Sequence, residues 1–230
     1  MNVCVLTHTF PRNKEDSAAA FMKEFCDGLV EAGAKVSVVI PYDLKFNRVS
    51  DNFKIITYKY IWPISFHLLG YSRTMNKDVS LRKRAYFLLP LMLIFGTLAL
   101  YRTVKKEKID IINVHWILPN GLMALIVSYL TKVPYVITLP GTDVYLAYKY
   151  KIFGFVARFI ARRSSGIISN SLWHLDRMLK IGVKGVKTAV YGYPVDTLYF
   201  KPIKKGLDKY LKMHGLKDRD FIILAVGRLV

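Results

Sequence analysis

At 230 residues, the chain has room for one large domain, or for one domain and part of another. A hydrophobic content of 53% with 22% charged residues excludes a disordered polymer and supplies material for a sizeable core. The 35 Lys and Arg against 16 Asp and Glu give a net charge of +19. That balance suits a protein that meets polyanions (nucleic acid, an anionic membrane face or phosphorylated ligands) and equally suits a Lys-rich solvated surface.

The chain opens on Asn2–Thr7, a β-branched run that reads as a strand starting almost at the initiator, without the basic region and apolar core of a signal peptide. Cys4 lies in this run and Cys26 in the helix that follows. Neither looks like half of a disulfide framework, and a reducing compartment fits best. After the loop Thr9–Asp16, Ser17 is placed to cap a helix whose Phe21, Phe25 and Leu29 recur at four-residue spacing. Gly33 ends it, and Lys35–Ile40 reads as a second strand closed by Pro41. This βαβ unit predicts an α/β fold with a doubly wound, mostly parallel Rossmann-like sheet. Further strands are expected at Lys54–Tyr60, Ile109–Val114, Tyr135–Leu139, Gly166–Asn170 and Val186–Tyr191, with helices between most of them.

Two helical stretches carry more than one reading. The uncharged run Ala85–Tyr101, flanked by basic residues, reaches about 25 Å against a hydrocarbon core of about 30 Å, and Pro90 and Gly96 interrupt it. It reads as a buried crossover helix, an interfacial helix or, least well, a membrane span. Lys149–Arg163 is clearly amphipathic: Ile152, Phe155, Val156 and Phe159 form an apolar stripe expected to face the sheet, and Arg158 and Arg162 stack on another face. That basic face suits either solvent or anionic lipid headgroups.

The stretch Asn113–Asp143 is where a site is expected. In an open parallel sheet, ligands bind in the crevice outside the carboxyl ends of the strands. Two polar loops fall at such ends here. One follows His115 and carries Pro119, Asn120 and Gly121; the other is Pro140-Gly141-Thr142-Asp143. Dinucleotide, P-loop, nucleophile-elbow and zincin motifs are absent, and the His and Cys residues never cluster at metal-ligand spacing. No nucleic-acid-binding motif accompanies the basic charge, which leaves that reading the weakest.

Four segments, in order along the whole chain, carry a family resemblance: THTFPRNKEDSAAAFMKEFCDGLVEAGAKVSVVIP, VHWILPNGLMAL with VPYVITLPGTDVY, YGYPVDTLYFKP, and ILAVGRLV. Together they resemble the N-terminal, acceptor-side domain of family 4 glycosyltransferases, which have the two-Rossmann-domain GT-B architecture. The resemblance implies retaining transfer of sugar from a nucleotide-sugar to a glycan or lipid-linked acceptor, with the nucleotide-sugar as co-substrate and no required metal or other cofactor. It implies an acceptor bound here and a donor held mostly by a second domain, with Arg228 matching an arginine that contacts donor phosphates. On this reading residues 1–200 are the acceptor-binding domain, 201–220 a linker with a short helix, and 221–230 the first strand of a donor-binding domain.

The likeness has two departures. Pro140 stands where the family has a histidine and offers no side-chain donor or acceptor. Ala18, Ala19 and Ala20 replace paired glycines in the opening loop. Residue by residue, His115 is either a ligand contact, the one catalytic candidate, or a histidine hydrogen-bonded beneath its loop. Asp143 reads first as a helix N-cap and second as a ligand to a hydroxyl. Asn120, Gly121, Gly141 and Thr142 join the substrate-binding set. Asp196 is expected to fix the crossover loop before it meets substrate, and Arg12 to be solvated. His8, His67, His174 and His214 have no assigned part. The function expected is a glycosyltransferase domain in cell-surface polysaccharide or glycolipid synthesis, inactive alone and cytoplasmic, peripheral on the inner membrane face. The alternative is a non-catalytic module that binds a lipid acceptor or a partner chain.

Overall fold

The strand-helix alternation closes into one seven-stranded sheet, described here from a computed structural model. It describes residues 1–13, 15–16, 19–47, 52–71, 85–195, 197–198, 200–202, 206–217, 220–221 and 223. In chain order the elements are β1 (Asn2–Leu6), α1 (Ala20–Glu31), β2 (Lys35–Pro41), β3 (Lys54–Tyr58), α2 (Ala85–Lys106), β4 (Ile111–His115), α3 (Asn120–Thr131), β5 (Tyr135–Leu139), α4 (Thr142–Lys149), α5 (Lys151–Ala161), β6 (Gly166–Ser169), α6 (Leu172–Lys180) and β7 (Thr188–Val190). All belong to a compact unit that ends at Pro194. Residues Val195–Val230 form a second unit, which carries α7 (Leu207–Met213). Ser17, Asp196, Arg228 and most of the strand expected from Phe221 lie outside the described residues.

Every strand pair is parallel, and the order is β3-β2-β1-β4-β5-β6-β7. The order reverses between β1 and β4, which register Val3 to Ile111 through Leu6 to Val114. That switch point leaves a crevice at the carboxyl ends of the two central strands.

The pleat divides the core. Val3 and Val5 of β1 join Val36, Val38 and Ile40 under α1, while Cys4 and Leu6 face the larger cluster under α2, α3 and α5. Both cysteines are buried and free. Two glycines set the helix layer: a Cβ on Gly96 would stand 2.7 Å from Met123 Sδ, and one on Gly121 2.9 Å from Ile160 Cγ2. Their absence of side chain brings α2 onto α3 and α3 onto α5.

Both of these stretches, Ala85–Tyr101 and Lys149–Arg163, form helices packed on the domain. α2 is the crossover from β3 to β4, but it is buried on one face only: Met92 and Leu100 are sealed, whereas Phe87 is 81% and Ile94 61% exposed. By length and composition alone it would pass for a membrane span; its packing on β1, β2, β3 and α3 makes it part of the domain. The second stretch requires a correction. It breaks at Tyr150 into α4 and α5, and of the stripe expected to face the sheet Val156 packs on the core whereas Ile152, Phe155 and Phe159 face outward, 66%, 57% and 43% exposed. Gly154, Ala157, Ile160 and Ala161 are buried instead. A Cβ on Gly154 would meet the Ala147 carbonyl oxygen at 2.6 Å, so α5 approaches α4 too closely for bulky residues on its inner side.

Candidate functional site

The crevice is built from the residues that follow β1, β4 and β5. Thr7, His8 and Thr9 leave β1 and are all buried. His115 closes β4, and Trp116 follows in a left-handed conformation, φ 65°, an uncommon and strained choice for a large residue. That turn sets the indole beside the His8 ring at 4.6 Å between centroids. Asn120, the first residue of α3, ties the two strand ends together. Its Nδ2 donates to the His115 carbonyl at 2.8 Å and lies 3.1 Å from His8 Nδ1.

From β5, the turn Pro140–Asp143 leads into α4. The N-cap position is Gly141, which has no side chain to cap with, and Asp143 lies in the first turn. The N-cap reading of Asp143 is therefore corrected: its Oδ2 reaches across to accept from the Ile117 amide at 2.6 Å, pinning the β4 loop to the β5 turn. Burial raises the Asp143 carboxyl to about 6, opposed by the amides of Ile117, Val144, Asp143 and Gly141.

Aromatic rings close the crevice over His115. Phe25 meets its imidazole edge-to-face at 4.8 Å, and Tyr193 stacks at 6.0 Å with its hydroxyl 3.3 Å from Nδ1. Phe21 packs on Tyr193 at 4.2 Å. Phe21 and Phe25 are the apolar positions that recur at four-residue spacing along α1. Met22 and Cys26 are the fully buried residues of the helix, and the two partly buried phenylalanines pack beside them and reach the rings of the crevice. Sealed in this way, His115 is held neutral, its pKa lowered by burial to about 3, and His8 is lowered to about 4 for the same reason.

The structure brings His115, Asn120 and Asp143 together and leaves other expected residues apart. Gly121 is buried against Ile160, so its position follows from helix packing. Thr142 is exposed at the start of α4. Arg12 is not simply solvated. Its backbone amide and Nε both donate to Asp16 Oδ2, at 3.0 and 2.6 Å, and its guanidinium lies 3.7 Å from Asp43 and over the Tyr71 ring. Sequence reasoning missed Tyr193, Trp116 and His8. The rule that ligands gather at strand ends was the available signal for His8, which stands two residues after the end of β1. Nothing marked Tyr193 in advance.

Three buried polar atoms in the crevice make no hydrogen bond to any described residue: His115 Nε2, Asn120 Oδ1 and Asp143 Oδ1. Leaving one such atom unpaired costs about 1–3 kcal/mol. All three stand at the carboxyl ends of β4 and β5, where the ligands of a parallel sheet gather. Among the described residues, no three His, Cys, Asp or Glu side chains stand together as a metal site.

A parallel Rossmann-like sheet with a polar crevice at its switch point is a fold that binds ligands at its strand ends. The glycosyl transferase 4-like family model matches residues 15–171, and the chain belongs to that family. It is 28% identical over 134 residues to TuaC of Bacillus subtilis (strain 168), a provisional teichuronic acid biosynthesis glycosyltransferase, covering 57% of this chain and 34% of TuaC. Among solved structures, HepE of Anabaena in complex with UDP-glucose superposes with a TM-score of 0.59 at 14% identity, over 94% of this chain and 50% of that one. The sucrose-phosphate synthase of Thermosynechococcus elongatus gives 0.64 at 11% identity, over 94% and 53%. These likenesses establish the GT-B type of fold. The chain spans about a third of TuaC and about half of either structure.

Proposed function

We propose that this chain is the acceptor-side domain of a retaining, nucleotide-sugar-dependent glycosyltransferase, and that its crevice binds a glycan or lipid-linked acceptor. The observation that carries the reading is the trio of unpartnered polar atoms on His115, Asn120 and Asp143 at the ends of β4 and β5. A neutral imidazole, an amide oxygen and a carboxyl that titrates near neutrality are suited to hydroxyl ligands, which both donate and accept. Donor binding and turnover require a second Rossmann half, in which Arg228 would contact the donor phosphates and Asp196 would order the crossover. TuaC and the UDP-glucose complex of HepE support the choice of a nucleotide-sugar donor and a cell-surface polymer or glycolipid product.

The outward stripe of α5 supports a membrane setting. Arg158 lies over the exposed Phe155 ring at 5.6 Å and Arg163 over Phe159 at 3.6 Å, so cations and apolar rings share one surface. That surface, with the +19 charge, supports the reading of a cytoplasmic protein held peripherally on the anionic inner face of a plasma membrane.

Calorimetric titration tests the division of labour. The 230-residue chain should bind acceptor-type glycosides and show negligible turnover of any nucleotide-sugar. Turnover by this chain alone, or a failure to bind any glycoside, would contradict the proposal.

A further inference from the structure

The turn after β5 is shaped around an imidazole that does not belong to it. Asn170, which follows β6, donates from Nδ2 to the Pro140 carbonyl at 3.1 Å. A carbonyl can only accept, so this contact fixes which way the amide points and turns its Oδ1 toward His174 Nδ1, 2.6 Å away. An acceptor at Nδ1 places the ring proton there and leaves Nε2 as a bare lone pair. The backbone is fixed as well, because the Ser171 hydroxyl caps α6 by accepting from the His174 amide at 3.3 Å.

The ring lies directly on Gly141. A Cβ at that position would stand 2.7 Å from both His174 Cε1 and Nε2, and Gly141 also has φ 137°, which L side chains rarely adopt. Glycine at 141 thus gives the imidazole its seat beside Pro140, a residue with no polar side-chain group of its own. Among the described residues His174 Nε2 makes no hydrogen bond, although Nδ1 and the backbone amide are both engaged. The ring is only partly buried, at the mouth of the β5 and β6 strand ends where ligands of such a sheet gather.

We propose that His174 is a substrate-contacting residue, whose Nε2 accepts a hydrogen bond from a hydroxyl of the sugar bound at the β5 turn. The inference rests on the reading that the crevice binds a glycan. A lone-pair acceptor discriminates by chemistry: it takes a proton from O–H or N–H and has nothing to offer an ionised phosphate oxygen. Burial lowers the pKa of the ring, which keeps it in this neutral form at physiological pH. The imidazole therefore selects the sugar portion of a ligand, not its diphosphate.

The test uses the full chain carrying 15N-labelled histidine, read by long-range proton–nitrogen spectra. His174 should show the Nδ1–H tautomer. Millimolar methyl glycosides of glucose, galactose, mannose and N-acetylglucosamine are then added in turn, and UDP separately. At least one glycoside should shift Nε2, and UDP should not. His174→Ala should weaken that glycoside roughly 3- to 10-fold, the loss of one neutral hydrogen bond, while the chain still unfolds in a single cooperative urea transition. Asn170→Ala should leave the chain folded and convert His174 to a mixture of tautomers. An Nε2–H tautomer, or a response to UDP alone, would overturn the proposal. If glycosides move the amides of Ile117 and Asp143 but leave His174 still, the crevice reading stands and His174 has no part in it. If they move neither, both fail.

Discussion

Replacing His115 with Gln tests whether the floor of the crevice is as dry and uncharged as its packing implies. The imidazole is fully buried under Phe25 and Tyr193, and burial lowers its pKa from 6.5 to about 3. The unfolded chain therefore takes up a proton below 6.5 that the folded protein refuses. Stability from this group is complete above 6.5 and is lost as pH falls toward 3. At about 1.4 kcal/mol per pH unit, the loss at pH ~4.5 is roughly 3 kcal/mol. Gln cannot titrate, so His115→Gln should remove that slope, whatever constant offset the substitution adds. Urea unfolding of both proteins between mildly acidic and neutral pH measures the difference. His8, which slopes in the same direction, is common to the two and cancels. Parallel stability profiles would refute the burial argument and the neutral imidazole that the site depends on.

Asp143 should behave in the opposite sense. Its carboxyl is raised from 3.8 to about 6, so it weakens the fold as pH rises through that window and adds no further change above it. Asp143→Asn keeps an oxygen to accept from Ile117 and should gain on wild type by roughly 3 kcal/mol between the two ends, read by denaturant midpoints. Gly141→Ala combines an unfavourable φ with overlap on the His174 ring; it should cost about 1–3 kcal/mol and displace the His174 resonances. Phe155→Ser with Phe159→Ser should reduce sedimentation with anionic vesicles by about tenfold or more, since each ring contributes on the order of 1.5 kcal/mol when buried in lipid. Equal wild-type binding to neutral and anionic vesicles would sink the membrane setting.

The sheet was legible because its signals are local and repeated. Seven β-branched runs, each bounded by Gly, Pro or a polar loop, became seven strands with ends within two residues of those expected. The location of the site followed from the topology those runs implied. Its details depended on contacts no periodicity encodes. Lys149–Arg163 showed the right amphipathicity and the wrong inward face, because the pattern cannot say that Gly154 must meet the Ala147 carbonyl and thus exclude the large residues. Asp143 read as a cap because a cap is the local use of an Asp at a helix start; its actual partner, Ile117, is 26 residues away in sequence. His174 carried no signal at all, since its relation to Gly141 exists only once β5 and β6 lie side by side.

The most direct test of the acceptor-site claim is a map of backbone amide shifts on adding methyl glycosides to the chain. The account predicts that the perturbed amides cluster at the ends of β1, β4 and β5, at His8, His115 to Asn120 and Gly141 to Asp143. Shifts confined to the outer faces of α2 and α5, or no shifts with any glycoside, would contradict it.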